Sequence, residues 1–301
     1  MADIISINAS KEVSAYIPFG GAHIDLGEGA IVPAPEHPTL QYATGLPAQR
    51  PKLDAQGRQQ IDEETGEALM DNLYYAGFFT ACGKDKDLDA AMMAHNIPWI
   101  NISHGSGDVV RHWAIDKPAL FIIAKGVPSN ANSEGKLGMV YMWRQKRNST
   151  KSETVLYVQV IIRQLLPDYC KPFVFTMKST QTADALNAMR RQYKVLAKAR
   201  EFAGNMELPL WTYAALFGAS KKQDQRGGSE GPSRMIFPMI SGIPDEITAA
   251  YLQRHEVPLE FVDLFREATE HAVAWAIGLT QRIAAGVETQ EPWKGTGTDE
   301  A

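Results

Sequence analysis

Cys82 and Cys170 are the only thiols in the chain, and they form no CxxC pair. That excludes a disulfide framework and a thiolate zinc site, and it fits a reducing compartment. No apolar run approaches the roughly 18 to 20 residues that span a bilayer, so no membrane partner is expected. The start, Met1-Ala-Asp-Ile-Ile-Ser6, lacks the basic and long apolar regions of a secretory signal. A cytoplasmic location is therefore expected. Walker, GxGxxG and GxSxG patterns are missing, and no internal repeat is found. The histidines show neither HExxH nor HxH spacing. No cofactor, no metal and no reaction class emerges from these absences.

Charge is present, and it is unevenly spread. The formal net charge of −5 hides three blocks. Residues 1–135 carry 9 Lys/Arg against 17 Asp/Glu, a net −8. Residues 136–200 carry 13 against 3, a net +10, and residues 201–301 carry 8 against 15, a net −7. A basic centre between acidic flanks steers a polyanion even when the whole chain is acidic.

Residues 1–70 hold Pro18, Pro33, Pro35, Pro38, Pro47 and Pro51 and are expected as an irregular Pro/Gly-rich arm, because proline breaks helices and central strands. Within it, Leu53–Arg58 and Glu64–Glu67 read as the turns of a polar hairpin. Residues 71–285 are expected to form one domain, and 286–301 a flexible tail. The domain has strand-like runs at 73–79, 119–124, 139–143, 154–162 and 173–177, and a short helix at 87–96 with Leu88, Ala91, Met92 and His95 on one face. The apolar, β-branched run at 155–162 reads as a central strand covered on both faces. A long helix, Gln181 to Ala203, is capped by Ser179 or Thr180 and stopped by Gly204. Ala183, Leu186 and Ala197 are its expected packing face. Strands at 210–219 and 235–240, joined by a polar loop, precede helices at 244–255 and 259 to about 285. This order predicts an α+β fold: an antiparallel, partly closed OB-like β-barrel with a long inserted helix and C-terminal helices.

A nucleic-acid groove needs cations for phosphates and flat rings for bases. Arg144, Lys146, Arg147 and Lys151 occupy a turn between two strands, after Tyr141 and Trp143, which share a strand face by the period of two. Tyr157 falls on the partner strand. Arg190, Arg191 and Lys194, with Lys198 and Arg200, give the long helix a basic face that is short of internal acids. That face binds either nucleic acid or the acidic stretches Asp85–Asp89 and Asp62–Glu64. Lys221, Lys222 and Arg226 lie in a Gly-rich loop near Trp211 and Tyr213. Ser103-His-Gly-Ser-Gly-Asp108 groups triad residue types within one turn, where triad geometry cannot form. Trp293 stands in the acidic flexible tail, which either stays disordered, recruits a protein partner or competes with DNA for the basic groove.

The strands Met139 to Met177, the inserted helix Gln181 to Ala203 and the closing hairpin Leu210 to Ile240 resemble phage- or mobile-element-borne single-stranded-DNA-binding proteins in architecture. The likeness spans roughly half the chain, and the ending Thr298-Asp-Glu-Ala301 departs from the acidic Pro-Phe tip of bacterial single-strand binders. No site residue is taken from it. The expected function is non-catalytic, sequence-tolerant binding of single-stranded DNA or RNA by a homo-oligomer. Two alternatives stay open: a recombination-accessory or assembly protein that docks an acidic partner, and an enzyme that uses His104 and His112.

Overall fold

Val155 to Ile162 is buried without a break, as the β-branched run predicts. This stretch belongs to β7 (Ser152–Ile162), the strand around which the rest is arranged. The computed structural model describes residues 37–284 except 57, 104–108, 125–136, 146–151, 179, 205–207, 220–223, 229–230, 236–237 and 241–242.

Before β7 come β1 (Thr39–Pro51), β2 (Met70–Ala81), α1 (Lys86–Ala94), β3 (Trp99–Ser103), β4 (Val109–Ile115), β5 (Ala119–Ile123) and β6 (Met139–Gln145). After it come β8 (Phe173–Lys178), α2 (Thr180–Phe202), β9 (Ala215–Ala219), β10 (Asp224–Gly228), β11 (Gly231–Met235), β12 (Pro238–Ile240), α3 (Ala249–His255) and α4 (Val262–Ala284). Nine strands form one continuous path, β12-β9-β5-β7-β8-β1-β2-β4-β3, and β6 pairs with β7 beside it. The fold is α+β, as expected.

Alternation along β7 defines two faces. Leu156, Val158, Val160 and Ile162 join the cluster that holds Met189, Val195, Leu196 and Ala199 of α2. Val155 and Tyr157 meet Trp275 and Leu279 of α4, and Ile161 meets Phe265 of the same helix. The strand period of two therefore sends α2 and α4 to opposite sides of this part of the sheet. The sheet is the middle of three layers.

The strands close only in part. β1 pairs with β2, β2 with β4, β4 with β3, and β3 returns to β1 through Ala48 opposite Ile102 and Gln49 opposite Asn101. One feature corrects the antiparallel barrel. β1 runs parallel to β8, with Thr39 opposite Val174 and Leu40 opposite Phe175. These strands are far apart in sequence, so no tight turn dictates an antiparallel pairing. The long helix α2 is inserted between β8 and β9, as expected, and packs on one face of the sheet.

The arm expected over residues 1–70 is also shorter than the prolines suggest. β1 is a full strand that contains Pro47 and Pro51. Its register shifts between Thr44 and Leu46, where Gly45 takes φ of 127°, a conformation that suits glycine alone. Between the β8 pairing at 39–40 and the β3 pairing at 48–49, β1 has one ladder partner among the described residues. Proline is tolerated beside such an open edge. The polar hairpin at 53–68 is present, with bridges Leu53–Gln59 and Ile61–Ala68.

Two boundaries move near the C-terminus. The expected strand at 210–219 opens as a 3-10 turn, Leu210–Thr212, before β9 begins. The loop after it carries a hairpin of its own, β10 against β11. α3 starts behind the Thr248 side chain, which accepts from the Tyr251 amide, and Pro258 separates it from α4.

Candidate nucleic-acid interface

α2 buries Met189, Gln192, Val195, Leu196 and Ala199, a helical stripe at intervals of three and four. The Gln192 amide donates to the Tyr213 carbonyl at 2.7 Å, which ties the helix to the segment before β9. What remains outside is Arg190, Arg191, Tyr193, Lys194 and Ala197. Ala197, expected to pack, is exposed, because the buried stripe passes through 195, 196 and 199 instead. The side chains at 183 and 186 lie outside the described residues.

Arg190, Arg191 and Lys194 make no ion pair with another described residue. Three other cations of the basic centre are engaged. Lys198 pairs with Glu201, and Lys171 pairs with Asp87 at 2.9 Å and Asp85 at 3.4 Å. Arg163 donates to the Arg254 carbonyl. Three of the acids expected to neutralise the helix are occupied elsewhere. Asp85 caps α1, Asp89 accepts from the Trp113 indole at 2.6 Å, and Asp62 accepts from the amides of Glu64 and Thr65. Three free cations within about one turn of a helix form a local positive field.

Tyr193 sits among them, 43% exposed, with the Arg200 guanidinium 5.7 Å from its ring centroid. Phe202 is 41% exposed further along the helix, with Lys198 5.7 Å from its ring. Neither aromatic was singled out in the sequence. The signal was there, since Arg190-Arg-Gln-Tyr-Lys194 interleaves a ring with cations. A second pair carried no such signal: the Arg111 guanidinium stacks 4.1 Å from the Trp99 ring across β3 and β4. They lie twelve positions apart in the chain, and only strand pairing brings them together.

The hairpin residues are placed in part. Tyr141, Trp143 and Arg144 lie in β6, opposite Leu156, Thr154 and Glu153. Lys146, Arg147, Lys151, Lys221 and Lys222 lie outside the described residues. Arg226 stands in β10 opposite Ser233. β6 ends, β7 begins and β8 ends at one end of the sheet, where α2 starts. Arg190 to Lys194 stand ten or more positions further on, about 15 Å along the helix axis at 1.5 Å per residue.

Two aromatic stacking expectations, Trp211 and Tyr213, are corrected, and Tyr157 is core. Tyr157 pairs with Val140 and is buried under α4. Trp211 is 3% exposed, with its ring 5.5 Å from that of Phe265, and Tyr213 is 2% exposed. Neither ring can stack a base without leaving the core. Trp211 lies within a 3-10 turn and Tyr213 directly follows it, so the strand alternation that would have sent one face outward does not apply to them.

No protein-family model, curated protein or solved structure matches this chain. Geometry therefore carries the reading. The Ser103–Asp108 segment connects β3 to β4, and residues 104–108, His104 among them, lie outside the described residues. His112 is corrected as an accessible catalytic group: it is buried, its Nδ1 lies 2.8 Å from the Val110 carbonyl, and its ring meets Phe79 edge-on at 5.1 Å. No cluster of three metal-ligating side chains occurs among the described residues. Nor is any described helix long and apolar enough to cross a membrane.

Proposed function

We propose that this chain binds single-stranded nucleic acid, DNA by preference, without catalysis and with little sequence selectivity. The outward face of α2 is the contact surface. The observation that supports this most is the set Arg190, Arg191 and Lys194, exposed and unpaired among the described residues, with Tyr193 exposed between them. The cations contact phosphates, and Tyr193 supplies a ring on which any base can stack. β6, which carries Arg144, ends at the end of the sheet where α2 starts, and the basic residues that follow it in the chain are expected to add phosphate contacts. A homo-oligomer would repeat this face along a strand. OB-like closure enters the reading only through the ring of β1 to β4.

Fluorescence anisotropy with labelled single- and double-stranded DNA and RNA, at two salt concentrations, tests the proposal. Affinity for single strands is expected to fall with salt by roughly 0.7 in log–log slope per phosphate neutralised. The combined variant R190E, R191E and K194E is expected to lose at least tenfold in affinity at low salt and to flatten the slope by about 2. All three positions are exposed, so the fold is expected to tolerate the changes. Salt-independent affinity, or no binding at low salt, overturns the reading.

A further inference from the structure

Toward α4, β7 presents Val155, Tyr157, Gln159 and Ile161 in turn. Three of them join the apolar layer beneath that helix. Gln159 is the exception: it is 1% exposed, and neither its Oε1 nor its Nε2 has a hydrogen-bond partner. Trp275 of α4 is 2% exposed, and its indole N–H lacks an acceptor. Both residues line one cleft of about 1010 Å³, walled also by α1 and residues 167–172. Such a volume is that of a small-molecule site.

The cleft is apolar along Ala91, Leu264 and Ala268, and His37 and His271 also line it. Burial first, and then the nearby charge of His271, lowers the His37 pKa to about 4, so His37 is neutral at pH 7. Two polar contacts at the rim are internal: Lys171 pairs with Asp85 and Asp87, and His95 Nε2 lies 2.9 Å from an Asp168 carboxylate oxygen. Glu267 and His271 stand exposed at the edge, so the charges of the lining lie at its mouth. The interior offers hydrogen-bonding groups without charge. An ion would lose its hydration there with no counter-charge, and a purely apolar guest would leave the carboxamide unpaired. A flat, uncharged ring with a donor and an acceptor side by side meets both conditions.

We propose that this cleft binds an uncharged planar heterocycle of the nucleobase class, with the Gln159 carboxamide accepting from and donating to one ring edge and the Trp275 N–H adding a donor. Adenine, with an amino donor beside a ring-nitrogen acceptor, is the pattern a glutamine carboxamide reads in pairs. The site lies on the face of the sheet opposite α2, so it stands or falls apart from the nucleic-acid surface proposed there.

Calorimetric titration of the full chain with adenosine, and competition by oligo-dA and oligo-dT, tests it. Saturable adenosine binding is expected, weakened at least tenfold in Gln159→Leu. Leucine keeps the shape and removes the unpaired amide, so an unchanged or higher Tm separates lost binding from lost fold. Trp275→Phe is the second variant, expected to weaken binding several-fold while keeping the packed ring. Competition by oligo-dA but not oligo-dT assigns the site to bases within a strand, and no competition by either assigns it to free nucleosides; both outcomes support the proposal. An absence of saturable adenosine binding at millimolar concentration, or equal affinity in wild type and Gln159→Leu, overturns it. The α2 proposal is read separately, from the salt dependence of the R190E, R191E and K194E variant.

Discussion

Asp85 serves four donors at once. Its carboxylate accepts from the Asp87 and Leu88 amides at the start of α1, from the Tyr169 hydroxyl at 2.9 Å, and from Lys171 at 3.4 Å. It therefore joins α1 to the segment before β8, two parts of the chain more than 80 residues apart. Burial works against the charge, but the Tyr169 hydroxyl, the Leu88 amide, Lys171 and the Asp87 amide outweigh it and hold the carboxyl below its usual range. Asp85→Ala is expected to cost about 2 kcal/mol, roughly half from the lost cap and half from the stranded Tyr169 hydroxyl. Urea melts at neutral pH measure that loss. Because the folded pKa is depressed, the carboxylate's contribution is complete above its unfolded value of 3.8 and is lost as pH falls through the folded value. The gap between wild type and variant is therefore expected to close in acid. An equal gap at pH 7 and at pH 2 would contradict this account.

Among the elements, β7 and α1 were legible because local pattern and final environment agree. A β-branched run admits few structures other than a buried strand, and the short helix carries its own cap at Asp85. β1 was hidden by its prolines, since their tolerance depends on which edges of the strand are paired, and pairing is not local. Trp211 and Tyr213 misled for a related reason. Nearby basic residues suggested a wet surface, whereas the 3-10 turn at 210–212 places both rings against α2 and α4. Their role can be separated from binding. Phe265 packs edge-on against Phe121 at 4.9 Å and lies 5.5 Å from Trp211, so this trio holds α4 to the sheet. Phe265→Ala is expected to destabilise the protein by about 3–5 kcal/mol, and Trp211→Ala by a similar amount. If Trp211→Ala instead left the urea midpoint unchanged and weakened oligonucleotide binding, the ring would belong to a surface after all.

At the scale of the molecule, the three charge blocks become a statement about faces. The sequence places +10 in residues 136–200, but the architecture decides which of those charges face outward together. α2 turns Arg190, Arg191 and Lys194 to one side of the sheet, while α4, on the other side, exposes Asp263, Glu267 and Glu270. That separation could not be read from the chain, because it depends on the two faces of β7 taking different helices. It has a measurable consequence. Each layer is about 10 Å deep, and the Debye length at physiological salt is about 8 Å, so charges on α4 are largely screened from a strand lying on α2. Glu267→Lys with Glu270→Lys raises the net charge by four, and the double reversal Arg190→Glu with Arg191→Glu lowers it by the same amount. If net charge governed binding, the two changes would move affinity equally and in opposite directions. If the α2 face governs it, the α4 variant is expected to change single-stranded DNA affinity by less than about twofold at 0.15 M salt, whereas the α2 variant loses at least tenfold. Anisotropy titrations of both proteins beside wild type distinguish the two cases. A large gain from the α4 reversal would move the interface away from α2 and return the basic centre to a long-range steering role.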